Sequence, residues 1–150
     1  MKIVVDTNIV FSAILNTKGK IGQLLINGSN HFDFYTVGLL KTEITNHKTK
    51  ILKLTGFSHK RFDSTFQIIV NRINFIDDIL LSNSDLQKAI ELVCDVDIDD
   101  IMFIALNNHL SAHLWTGDKQ LIKGLKNKGY SRFLNTNEIY DIYLHKQLKQ

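Results

Sequence analysis

The chain has 150 residues, 44% of them hydrophobic and 22% charged, with no proline and a formal net charge of +3. That balance is too apolar for a disordered chain, and no apolar run approaches the roughly 20 residues a bilayer span needs. The single cysteine, Cys94, excludes an internal disulfide and a cysteine-built zinc site. Only Lys2 and a short apolar run precede Asp6, too little for a signal-peptide core, so one cytoplasmic domain over residues 1–150 with no membrane association is expected. The mild basic excess does not by itself name a nucleic-acid partner.

In chain order, the run KIVV is a first strand, ending abruptly in Asp6-Thr7-Asn8. Ile9 to Leu15 is dense enough in apolar residues for a buried helix, and Lys18-Gly19-Lys20 breaks it. Ile21 to Ile26 reads as a second short helix closed by Asn27-Gly28, and Phe32 to Val37 as the next strand. Leu39, Leu40, Ile44, Ile51 and Leu52 predict one long helical stretch. Ser58 caps a helix carrying Phe62, Phe66, Ile69, Val70 and Ile73, and Asn74 to Asp77 is a weak strand. Ser84 is the expected cap of a helix with Leu86, Ala89, Ile90 and Val93. An apolar helix starts near Asp99 and carries Ile101 to Leu106. Ala112 to Thr116 is a strand, Leu121 to Leu125 a short helix ending at Gly129, and Phe133-Leu134 a last strand. Asn135, with Glu138 three residues on, forms a capping box for the terminal helix. Strands alternating with helices predict a helix-rich α/β fold, with a parallel sheet covered on both faces.

In such a sheet, ligands bind beyond the carboxyl ends of the strands. Asp6 ends the first strand, Asp118 follows the Ala112 to Thr116 strand, and Asp99 and Asp100 open a helix whose start faces the same edge. Each also has an ordinary reading: Asp6 as a helix cap, Asp118 as turn chemistry, Asp99 and Asp100 as favourable charges at a helix start. Together they place several carboxylates on one rim, where they repel unless their pKa values rise or a cation sits between them. Hard oxygen donors suit Mg²⁺ or Mn²⁺. Glu43, on a lysine-rich helix, is the one helical acid to add, although taken alone it is an ordinary solvated residue.

Val5-Asp6-Thr7-Asn8-Ile9-Val10 resembles the opening of PIN-domain nucleases. The stretch Asp97-Ile98-Asp99-Asp100 through Leu106, followed by Leu114-Trp115-Thr116-Gly117-Asp118-Lys119, resembles the same family. The likeness spans nearly the whole chain, in order, through Phe133-Leu134-Asn135. Within the family it is greatest to the stand-alone, VapC-like proteins described as toxins of toxin–antitoxin pairs. The resemblance implies a PIN-like three-layer α/β/α fold, with a short-stranded, mainly parallel sheet and long helices on both faces. It implies an endoribonuclease using Mg²⁺ or Mn²⁺, with Asp6, Glu43, Asp100 and Asp118 at its four acidic positions. Asp99 competes with Asp100 as third ligand, while Asn8, Thr116 and Asp97 take supporting roles around the ligands. RNA, a small antitoxin that wraps the domain and a homodimer are the implied partners. Lys41, Lys48, Lys119 and Lys123 are candidates for the phosphate backbone, with a solvated lysine face as the alternative. Asn107-Asn108-His109 stands where members usually carry small apolar residues, so this helix is expected to pack or pair differently, and Ile98 replaces a frequent proline.

Other features contribute less. The six histidines form no metal set, Cys94 reads as a small buried hydrophobe, and Trp115 as core. A haloacid-dehalogenase-type phosphatase needs an acid two residues after Asp6, where Asn8 stands. A receiver domain needs an acid pair at the first strand end. Two further alternatives are a non-catalytic PIN-like module binding RNA or protein and a housekeeping RNA-processing nuclease using the same site.

Overall fold

A computed structural model describes all residues, 1–150. β1 (Lys2–Val5) buries Ile3, Val4 and Val5 completely, which only a central strand covered on both faces can do. It leads into α1 (Thr7–Leu15), then α2 (Lys20–Asn27) and β2 (Asp33–Val37). After α3 (Leu39–Asn46), α4 (Lys48–Thr55) and α5 (His59–Val70) comes the edge strand β3 (Asn74–Ile76). The second half consists of α6 (Asn83–Val93), α7 (Ile101–Leu110), β4 (His113–Trp115), α8 (Lys119–Asn127), β5 (Phe133–Leu134) and α9 (Thr136–Leu148). The fold is a three-layer α/β/α sandwich. No helix is long and apolar enough to cross a membrane.

The sheet order is β3-β2-β1-β4-β5 and every pairing is parallel. The chain builds outward from β1 to β3, then returns to lay β4 against the other side of β1. Strand order therefore reverses between β1 and β4, where the helices on either side diverge and leave a crevice at the carboxyl edge. α7 crosses β1, β2 and β4 with α6 packed on it, while α1 packs against α2, α3, α4 and α5. Trp115 lies wholly in the core, its indole N–H donating to the Thr136 hydroxyl at 3.0 Å.

The structure corrects three local expectations. The helical stretch over residues 39–52 is two helices, because the His47 N–H is shared among the carbonyls of Glu43, Ile44 and Thr45 and the chain turns there. Ile44 and Ile51 stay in phase across the turn, so the apolar spacing does not reveal it. α6 is capped by Ser82 instead of Ser84: Ser82 Oγ accepts the Asp85 N–H at 3.0 Å, and Asp85 returns the bond to the Ser82 N–H. Both serines have a partner three residues on, but only Ser82 follows a buried leucine, Leu81, which with Leu86 joins the core and anchors the helix entry. Cys94 is exposed, lying one turn beyond exposed Ile90, while Ala89 and Val93 take the core face. The sheet is parallel throughout. Asn107, the departure on the apolar helix, is fully buried: its amide donates to the Tyr130 hydroxyl at 2.7 Å and the Arg132 carbonyl at 2.8 Å.

Candidate metal centre

Each acid reaches the crevice by a local device. Asp6 follows the last residue of β1 and caps α1, accepting the Ile9 N–H at 3.0 Å. Asp118 caps α8 by accepting the N–H groups of Gln120 and Leu121. Asp97 accepts the Asp99 N–H at 2.9 Å and starts a 3₁₀ turn over Ile98–Asp100 that runs directly into α7. The capping readings of Asp6 and Asp118 therefore hold, and the same residues also line the crevice. Thr116, fully buried, joins the two strand ends: its hydroxyl faces Asp6 and accepts the Asp118 N–H at 3.1 Å.

Oxygens of Asp97, Asp100 and Asp118 lie within 4.8 Å of one another, and all three residues are half-buried. Next to them is a cavity of about 200 Å³ lined by Asp6, Thr7, Asn8, Glu43, His47, Asp97, Asp99, Asp100 and Phe103. Asp99 is exposed at its rim and lies outside the tight group, whereas Asp97 lies within it. No lysine lines the cavity. Lys41 lies 4.3 Å over the Phe75 ring, Lys48 pairs with Asp63 at 3.2 Å, and Lys119 and Lys123 are exposed on α8.

The electrostatics follow from this placement. Burial pushes Asp6 up to about 6, with Asp118 adding repulsion and hydrogen bonds from the Ile9 N–H and Thr116 pulling the other way. Burial, then repulsion by Asp97, Asp6, Asp118 and Glu43, pushes Asp100 up to about 7. Glu43 is also raised, chiefly by burial, with Asp99 and Asp97 adding to the rise and the Thr7 hydroxyl and His47 opposing it. Thr7 Oγ1 is buried in the wall of the same cavity, turned toward Glu43. Carboxylates with raised pKa values beside this hydroxyl form an oxygen donor set suited to a small hard dication.

Sequence reasoning missed three of the lining residues, Thr7, Phe103 and the titratable His47. His47 stands one turn after Glu43 at the break between α3 and α4, and its ring packs edge-on against Phe11 at 6.1 Å. The spacing of four from Glu43 was the available signal, since residues four apart share a helix face.

A parallel sheet with an acid-lined cavity at its switch point defines the class: an α/β protein with clustered carboxylates at the carboxyl edge. The pattern of the PIN domain family matches residues 4–140. The chain belongs to the PIN-domain family, whose members are generally nucleases that use divalent metals. VapBC2 from Rickettsia felis, whose crystal structure is bound to a DNA fragment from its promoter, is similar over 90% of this chain and 98% of that one, at 18% identity and a TM-score of 0.65. PAE2754 from Pyrobaculum aerophilum is similar over 97% and 90% respectively, at 10% identity and a TM-score of 0.67. SSO1118, a PilT N-terminus domain protein from Sulfolobus solfataricus P2, is similar over 96% and 94%, at 15% identity and a TM-score of 0.51. These likenesses are of fold. No curated protein sequence matches the chain.

Proposed function

We propose that this protein is a Mg²⁺- or Mn²⁺-dependent endoribonuclease, the toxin of a toxin–antitoxin pair restrained by a small antitoxin. The observation that carries this reading is the convergence of Asp6, Asp97, Asp100 and Asp118 at the sheet's switch point, with no lysine or arginine lining the cavity. Those four would hold the ion, Asp97 taking the place that Asp99 competes for by spacing alone, and Glu43 completes the acid set from the opposite wall. Bound there, the ion supplies Lewis-acid polarisation of a phosphoryl oxygen and acidifies the attacking water. Thr116 fixes the orientation of the Asp6 carboxylate and the Asp118 backbone together, and Asn8 presents its amide at the cavity mouth. Family membership supports the nuclease class, and the likeness to VapBC2 supports the toxin assignment.

The test is cleavage of labelled single-stranded RNA with Mg²⁺, Mn²⁺ or chelator, alongside an Asp6→Asn, Asp100→Asn double variant purified identically. We expect metal-dependent cleavage by the wild type and a loss of at least about 100-fold in the variant, as when ligands and their supports are removed. Equal cleavage by the two proteins, or cleavage that persists in chelator, overturns the reading.

A further inference from the structure

The acidic cavity is open on one side. Past Asn8 it meets a concavity of about 340 Å³ between α1, the turn at Gly117 and the start of α9, with Ser12, Ile21 and Thr136 in its walls. A third concavity of about 320 Å³ shares Ser12, Ile21 and Thr136 with the second and runs on to Asn16, Gly19 and Lys20. The three form one groove that runs along α1. Asn8 and Ser12 share a face of the helix, four residues apart, and Asn16 follows at its C-terminal cap.

The walls are held in place. Thr136 receives the buried Trp115 indole N–H at 3.0 Å. Lys20 Nζ donates to Asn137 Oδ1 at 2.9 Å and lies 5.0 Å over the Tyr140 ring. The charge changes along the path: beyond Asp118 no acid lines the groove, and Lys20 stands at its far end. Amides and a hydroxyl that both donate and accept suit sugar and phosphate oxygens, which position a strand without reading its bases. Ile9 and Ile21 are the only apolar residues in the lining, too few to anchor an amphipathic helix of a protein partner.

We infer that this groove is the track for single-stranded RNA on one side of the scissile phosphate. Asn8, Ser12 and Asn16 are its positioning residues, and Lys20 contacts a backbone phosphate at its end. The inference rests on the ribonuclease reading and deepens it, because nucleotides beyond the pair flanking the scissile phosphate must follow the groove.

The experiment compares wild type, Asn16→Tyr, which fills the groove beyond Asp118, and Lys20→Glu, which reverses the charge at its end. Circular dichroism checks that each variant is folded. Steady-state cleavage of a diribonucleotide and a hexaribonucleotide is measured with Mg²⁺, together with fluorescence anisotropy of the end-labelled hexamer with and without the metal. In both variants KM and Kd for the hexamer should rise about tenfold, as expected for loss of a charge-assisted phosphate contact, with kcat and dinucleotide cleavage unchanged. Unchanged hexamer KM and Kd, or equal losses on both substrates, overturn the track. A wild type that cleaves neither substrate but binds the hexamer, and loses that binding in both variants, sinks the ribonuclease reading and leaves the track standing. A hexamer that does not bind the wild type removes the track and leaves the groove to a protein occupant.

Discussion

Asp95 and Asp97 stand two residues apart, yet they belong to surroundings that treat carboxylates in opposite ways. Around α6 every aspartate has a donor: Asp95 is held below its usual range by the Lys128 ammonium. At Asp85 burial pushes upward but is outweighed by bonds from the Ser82 hydroxyl, the Ser82 N–H and His109, so that acid is also lowered. In the cavity the donors to Asp6 are backbone N–H groups and the Thr116 hydroxyl, with no formal charge, and Asp6 and Asp100 rise to about 6 and about 7. The same residue type stabilises the first region and loads the second with repulsion. Acids near the surface with a hydrogen-bonding or cationic partner are held down, whereas acids buried together in one cavity are pushed up by desolvation and by each other.

The largest test of that contrast is the pH dependence of stability without metal. Asp6 and Asp100 have folded-state pKa values raised above the ordinary 3.8, so the folded protein retains protons that the unfolded chain has released. Their stabilisation relative to the ionised state is therefore present near pH 4 and lost as pH rises through about 6 and about 7. For buried Asp6, the rise from 3.8 to about 6 corresponds to about 3 kcal/mol. Metal-free protein should melt on the order of 10 °C higher at pH 5 than at pH 8, and added Mg²⁺ should restore the difference at pH 8. A metal-free melting temperature that is flat or rises over this range would show that the cavity acids are already compensated.

A smaller effect separates one residue from the cluster. Asp100→Asn removes the charge that repels Asp97, Asp6, Asp118 and Glu43 while keeping the shape, so melting of the metal-free variant at pH 8 should rise by a few degrees. The stabilisation by Mg²⁺ should shrink in the same variant. A lower melting temperature without metal would mean that Asp100 is held by interactions beyond its charge.

The smallest effect lies on the other side of the comparison. Asp85→Ala deletes the reciprocal cap of α6 and the contact to His109, and should lower melting at neutral pH by about 2–4 °C, equivalent to about 1 kcal/mol. Because the Asp85 pKa is lowered, its contribution is present above the ordinary 3.8 and disappears as pH falls below it, opposite in sign to the cavity acids. A loss of melting temperature that persists unchanged at pH 3 would show that packing outweighs charge at this position.

Much of this was legible because it depends on neighbours a few residues apart. The strand end at Asp6, the capping box of Asn135 and Glu138 and the turn at Asp118 are contacts of short range, and the structure contains each of them. The break at His47 was hidden, since a tight turn can keep buried residues in phase. Cys94 was misjudged because composition gives a cysteine's average burial, while its helix face decides the actual one.

The sequence by itself determined the fold class, the alternation of strands and helices, and which segments deliver acids to the carboxyl edge, because period, capping and turn chemistry are written in short windows. Only the tertiary structure decided which carboxylates meet. Asp99 and Asp100 are not separable by spacing, and Asp97 reads as a supporting acid, but a 3₁₀ turn brings Asp97 and Asp100 together with Asp118 and leaves Asp99 at the rim. The parallel pairing of β1 with β4 brings Asp6 beside Thr116 and Asp118, residues more than a hundred positions away, and no local pattern encodes that contact.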